Sequence, residues 1–257
     1  MGQTSGSQHS QNSERAALIL ISLGQATWRG LSLKEIAERV GAEKPATHRT
    51  LLALKRHGMV VQNELRGRYR LGPAALALGQ RRTTPIERIE QWKPAIAELA
   101  KTYQASAFLL ERSGLDAIIT DMYMTDPSLK VLGGGGIGGR LPLGYGLGST
   151  AILAEQDEDD QCAILQANLE RYTTLDVDVG ALRAYLPTVR MLGYDYRRDT
   201  FIEGISGISV PLHEDNGRCR AALTIAKPSE FLPDSEVPAL IAHMKTLTDG
   251  SYRPPGP

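Results

Sequence analysis

A chain of 257 residues, 42 % of them apolar, can bury one large core or two ordinary ones and is too apolar to stay disordered. No apolar run approaches the ~20 residues of a membrane-spanning helix, and the polar opening Met1–Asn12 lacks the layout of a secretory signal. A formal net charge of zero hides an asymmetry: Ser13–Arg82 holds 13 basic and 5 acidic residues, net +8, and the remainder 16 basic and 24 acidic, net −8. A polyanion partner is therefore expected for the first part only.

In chain order, residues 1–12 read as a flexible tail and 13–82 as a DNA-binding unit. Ser13 is the expected cap of a first helix whose apolar face is Leu18, Leu20, Ile21 and Leu23, stopped by Gly24. Ser32 with Glu35 three residues later is a capping box, followed by Ile36, Ala37 and Val40 at helical spacing, then Gly41 as a break. Pro45 suits the first turn of a third helix running through Leu51, Leu52 and Leu54 to Gly58. Two short helices joined by a glycine-containing turn form a helix-turn-helix. Lys44, Thr47, His48 and Arg49 are expected on the side of the third helix away from its leucines, where they can reach base edges and phosphates. Lys55 and Arg56, a turn or two later, suit phosphate, and Ser32 at the start of the preceding helix is a further DNA-binding candidate. Strand-like Met59–Gln62 and Tyr69–Leu71 flank Asn63–Arg68, a hairpin whose Arg66 and Arg68 make it a basic wing. Leu76–Leu78 closes that region.

Arg81–Pro85 is a polar break. Residues 83–103 read as a linker helix on Ile86, Ile89, Trp92, Ile96, Leu99 and Ala100, suited to joining the halves or to dimer contacts. Residues 104–248 read as a second domain, and 249–257 as a loose tail. Strands are expected at Ala107–Leu110, Ala117–Asp121, Tyr194–Arg197, Ile205–Pro211 and Arg220–Ala226, with Asp215-Asn216-Gly217 as a hairpin turn. Helices are expected from Leu147 (capped by Ser149 or Thr150), from Asp157–Asp160, over Val177–Leu192 and over Val237–Leu247. The class is α+β, with helices around an antiparallel sheet. Gly133–Arg140 holds a formal G-x-G-x-x-G, but Leu141-Pro142 after it opens no helix, so a loop of tight backbone approach fits better than a nucleotide site.

Taken in order, these residues resemble the IclR family of bacterial regulators. The carrying motifs are Leu33–Ala37, Pro45–Leu54 with Gly58, Gly138–Leu143 running into Ala151–Ala154, and Gly193-Tyr194 through Glu203–Ile205 to Ile208–Pro211. The resemblance implies a winged helix-turn-helix followed by a GAF-like effector-binding domain. It also implies homodimers or dimers of dimers and control by a small, often acidic or aromatic metabolite. Carried over residue by residue, it implies an effector site of Gly133, Leu141, Leu147, Gly148, Arg197, Ile205, Gly207 and Thr224. Arg197 stands where the family often has an acid. Its planar fork suits a ligand carboxylate, and the alternatives are that it points to solvent or pairs with Asp195 or Asp199.

The expected function is a DNA-binding transcriptional regulator whose operator binding a small organic acid modulates, with no cofactor, no metal and no membrane partner. A cytoplasmic location is the default for its two isolated cysteines, Cys162 and Cys219. Two rivals remain open at this level: an enzyme with an appended DNA reader, and a ligand-free architectural DNA binder. No catalytic residue is expected. The five histidines form no H-x-x-x-H pair, and no G-x-S-x-G elbow occurs.

Overall fold

The computed structural model describes residues 10–62, 67–79, 84–124, 136–199, 202–214 and 216–248, with backbone alone described at 84–89. Arg66, Gly133, Asp215 and the two expected tails outside residues 10–248 lie beyond that set. The chain packs as two units, Met1–Ile86 and Glu87–Pro257.

The first unit, among the described residues, is four helices and a small sheet: α1 (Gln11–Gly24), α2 (Leu33–Arg39), α3 (Lys44–Arg56), β1 (Val60–Gln62), β2 (Tyr69–Leu71) and α4 (Pro73–Gly79). Ile19, Leu23, Leu31, Ile36, Leu51, Val60 and Tyr69 form one buried cluster, the leucine and isoleucine spacing that an amphipathic helix set requires. Leu31 exchanges both backbone hydrogen bonds with Tyr69, so the stretch before α2 adds a rung to the hairpin. Gly72 packs so closely on this hairpin that a Cβ there would lie 2.2 Å from the Gly58 carbonyl oxygen. Two expectations are corrected. The cap position of α1 is Ser10, with Ser13 inside the first turn, so the helix takes in residues assigned to the tail. Leu76–Leu78 belongs to a helix, α4, because Pro73 supplies an N-terminal φ and Gly72 ends the strand.

The second unit is a six-stranded antiparallel sheet between two helical layers. Its elements are α5 (Thr84–Tyr103), β3 (Ser106–Ser113), β4 (Asp116–Tyr123), β5 (Arg140–Pro142), α6 (Leu147–Ala154), α7 (Glu158–Ala167), α8 (Leu169–Thr174), α9 (Val179–Leu192), β6 (Asp195–Arg198), β7 (Ile205–His213), β8 (Cys219–Pro228) and α10 (Val237–Thr248). Strand order is β5-β4-β3-β8-β7-β6. One face packs Ala107, Leu109, Ile208, Val210, Leu223 and Ile225 against α5 and α10. The other packs Phe108, Leu110, Ala222 and Ala226 against α6, α7 and α9. Both faces are covered, so the strands read as nearly continuous apolar runs, and β7 is buried from Ser206 to Leu212.

Within α5, Pro94 withdraws the amide that would bond the Glu90 carbonyl. The packed part of that helix, Trp92, Ala95, Ile96, Leu99 and Ala100, runs to either side of the proline, so the expected linker helix is in large part a core helix of the second unit. The strand β5 and the helix α8 are additions to the sequence reading. Each is short, and β5 is paired only through residues 116–118 of β4.

Candidate functional site

In the first unit the capping box at α2 is complete: Ser32 N–H donates to Glu35 Oε2 at 2.7 Å, and Glu35 N–H to Ser32 Oγ at 3.3 Å. Lys44, His48, Arg49, Leu52, Lys55 and Arg56 are exposed along α3. Their spacing of three and four residues places His48, Arg49, Leu52 and Arg56 on one stripe. Leu52, expected with the leucines on the side opposite the reading face, is 52 % exposed, and Leu51 alone enters the core from that pair. One expected contact is corrected. Thr47 is fully buried, its hydroxyl donating to the Glu43 carbonyl at 3.0 Å, because it lies one residue short of the stripe. Arg68, its side chain 32 % exposed, is already engaged within the unit. It donates to the Gly30 carbonyl at 2.9 Å and to Glu35 Oε1 at 3.0 Å, which fixes the wing to the start of α2. Hydrogen bonds from Ser32 and then from Arg68 hold the Glu35 carboxyl down at about 2. The identity of a residue shows its charge; whether a carboxylate across the fold has already claimed that charge is a tertiary fact.

In the second unit, α6 begins without a side-chain cap. Gly146 fills the cap position at φ +87°, so the first-turn amides receive nothing from it. Ser149 and Thr150, expected as caps, lie inside that turn. Their hydroxyls donate back to carbonyls, Ser149 to Gly146 at 3.0 Å and Thr150 to Gly146 at 2.7 Å. The helix start presses on the sheet. A Cβ on Gly148 would stand 2.7 Å from Thr224 Oγ1 and from Leu110 Cδ1, and one on Gly207 would stand 2.4 Å from Leu147 Cδ1. Register defines two rows across the sheet here: Phe108, Thr224, Ser209, Asp195, and beside it Ser106, Ala226, Gly207, Arg197.

The expected residues Leu147, Gly148, Arg197, Ile205, Gly207 and Thr224 are thus brought together. Leu141 lies on the edge strand opposite β6 and joins them only through the buried cluster it shares with Phe108, Leu110 and Ala226. Sequence reading missed Ser106, Ser209, Thr150 and Tyr185, because a two-residue alternation says which face a residue takes and not what stands beside it. Arg197 takes one of the alternatives named for it. Its Nε and Nη2 grip Asp195 at 3.2 and 3.0 Å, Nη2 also donates to Thr150 Oγ1 at 3.0 Å, and the guanidinium lies over the Tyr185 ring. The Tyr185 hydroxyl donates to Asp195 at 2.8 Å. Burial pushes the Asp195 carboxyl up, against the opposing pull of Arg197. Burial and the Asp195 charge push Tyr185 up to about 12. Among the described residues, no group of three or more His, Cys, Asp and Glu is placed to hold a metal ion, and no helix is long and apolar enough to cross a membrane.

Comparison with known proteins joins the two units. The IclR helix-turn-helix domain matches residues 14–64, and the bacterial transcriptional regulator IclR C-terminal domain matches residues 82–249. The chain belongs to the IclR family. It is 31 % identical over 199 residues to the HTH-type transcriptional regulator Rv1719 of Mycobacterium tuberculosis, covering 77 % of this chain and 75 % of that one. It is 27 % identical over 232 residues to the glycerol operon regulatory protein of Streptomyces griseus, covering 89 % of each. Among solved structures, an IclR regulator from Alicyclobacillus acidocaldarius superposes with a TM-score of 0.71 at 23 % identity, over 92 % of this chain and 95 % of that one. An IclR homologue from Microbacterium hydrocarbonoxydans, complexed with 4-hydroxybenzoate, gives 0.71 at 20 % identity over 93 % and 98 %. The α+β fold of an N-terminal helix-turn-helix and a C-terminal effector-domain sheet is the family's, and the protein is a DNA-binding transcriptional regulator of IclR type.

Proposed function

We propose that this regulator reads operator DNA with the exposed stripe of α3 and releases or grips it in response to a small organic acid. The acid binds where α6 meets β7 and β8. The observation that carries the second half is the uncapped start of α6, pressed against Gly207 and Thr224. Helix amides with no cap and a positive dipole end favour an anionic group. A bound homologue with 4-hydroxybenzoate supports an acid of that size. The ligand is sensed and left unchanged, for Asp195, the carboxylate of the site, already accepts from Arg197 and Tyr185 and is not free as a base.

On the DNA side, Lys44, His48, Arg49 and Arg56 are the proposed polar contacts, and Leu52 a contact to thymine methyl. Arg66 on the wing and the Ser32 hydroxyl are proposed phosphate contacts. One α3 fills one half-site, so a dimer, or a dimer of dimers, completes the operator complex. The test begins with duplexes selected from a random pool by the full chain, followed by thermal melting across a library of organic acids. An acid at 100 times its dissociation constant adds about 2.7 kcal/mol. The acids that raise the melting point are expected to shift affinity for the selected duplex, and Gly148→Val, which fills the helix–sheet contact, is expected to abolish both effects. Stabilisation by no acid in the library would remove the effector reading.

A further inference from the structure

The helix α3 carries one side chain that neither its charge nor the core explains. Leu52 is 52 % exposed, and the residues three and four away on either side, His48, Arg49, Lys55 and Arg56, are all exposed and basic or polar. Leu51 and Leu54 supply the contacts of that stretch to the buried cluster, and Leu52 is not among them. The helix holds no acidic residue from Lys44 to Arg56, so its exposed face is not the mixed-sign face of a solvated helix. A leucine ringed by such groups has a use where they meet phosphates and base edges and the leucine itself meets something apolar. In the major groove of DNA the apolar group on offer is the methyl at C5 of a pyrimidine.

We propose that Leu52 reads the 5-methyl group of a pyrimidine as such, so that one position of each half-site accepts thymine or 5-methylcytosine and refuses the unmethylated base. This rests on the DNA reading proposed above and adds to it a response to cytosine methylation of the operator. The chemistry follows from what leucine lacks. Beside C5, thymine presents an acceptor at O4 and cytosine a donor at N4, and telling them apart takes a hydrogen bond. Leu52 can make none, so the methyl group that thymine and 5-methylcytosine share is all it can read. Arg49 fixes the register. Three residues of helix advance about 4.5 Å against about 3.4 Å for one base pair, so along the groove Arg49 and Leu52 meet neighbouring pairs. Arg49 grips the base its fork fits, guanine at O6 and N7, and Leu52 covers the methyl group next to it. Lys55 and Arg56, one turn on, hold phosphates and keep the helix at that depth.

The test uses the full chain and duplexes it selects from a random pool. Each half-site pyrimidine is varied through two matched pairs: thymine against uracil opposite adenine, and 5-methylcytosine against cytosine opposite guanine. Within a pair only the methyl group changes, and affinity is read by fluorescence anisotropy. The wild-type protein is expected to show one position per half-site where the methyl group tightens binding about fourfold in both pairs, the worth of one buried carbon. Leu52→Ala is expected to bind the two members of each pair alike at that position. Each ratio is taken within one protein, so a change in the variant's stability does not enter it. Arg49→Ala is expected to lose the preference for guanine on the neighbouring base pair and to keep the methyl effect. The assignment is overturned if wild type shows no methyl-sensitive position, or if Leu52→Ala retains the effect. It is overturned too if the effect is confined to thymine against uracil, since that marks thymine and not its methyl group as the thing read. Should Leu52 prove idle while Arg49→Ala still weakens the selected duplex, the methyl reading alone falls. Should neither variant change binding, the DNA reading of α3 falls with it.

Discussion

At the scale of single residues, burial and pairing decide which charges are available. Arg49 and Arg68 are both arginines of the basic unit, but Arg49 is exposed on the α3 stripe and Arg68 is tied to Glu35 and Gly30. Arg49→Ala is expected to cost about 1–3 kcal/mol of binding to a selected duplex and much less on a scrambled one, as measured by fluorescence anisotropy. Arg68→Ala is expected to lower the melting point instead. The acid limb of stability follows from the same contact. Glu35 sits at about 2 when folded against an ordinary 4.5, so its stabilisation is complete above 4.5 and is lost as pH falls from 4.5 towards 2. Glu35→Gln should flatten that part of the melting-temperature curve, and a slope unchanged from wild type would show the carboxylate to be idle.

At the scale of elements, the fold was legible where a local rule sufficed. The Ser32–Glu35 box, the Pro45 helix start and the strands at residues 205–211 and 220–226 need only spacing, and the structure places them within a few residues. Elements that depend on a neighbour were not legible. The strand β5 exists because β4 offers an edge. The start of α6 at Leu147 was legible and its cap was not, since Gly146 at positive φ fills the cap position and the hydroxyls of Ser149 and Thr150 turn back to carbonyls. The proposed effector site was half legible for the same reason. Glycines 148 and 207 were named through the family resemblance, whereas Ser106 gains meaning only through its row. Close approach also predicts fragility. Gly72→Ala would drive a Cβ into the Gly58 carbonyl, a backbone atom that cannot turn aside. A loss of about 2 kcal/mol or more is expected, read as a lower denaturant midpoint of the first unit.

At the scale of the whole molecule, charge separates the two halves of the chain. The net +8 of Ser13–Arg82 faces a net −8 elsewhere, so the protein as a whole is neutral while its DNA reader is not. Long-range attraction to DNA is therefore expected to be steeply salt-dependent. The slope of log affinity against log salt should become shallower by about 1 with each lost phosphate contact, Arg56→Ala among them. An unchanged slope in that variant would move Arg56 off the phosphate backbone.

Pro94 gives the long helix α5 a fulcrum. From Pro94 back to Glu87 is about 10 Å of helix at 1.5 Å per residue. Trp92, Ile96 and Leu99 hold the helix on the core to either side of the proline, and one backbone hydrogen bond is missing at it, so a bend costs least there. A tilt of about 10° would carry the far end of that arm roughly 2 Å. A bend there would therefore appear as a shift of residues 84–89 while Ile96 and Leu99 stay in place.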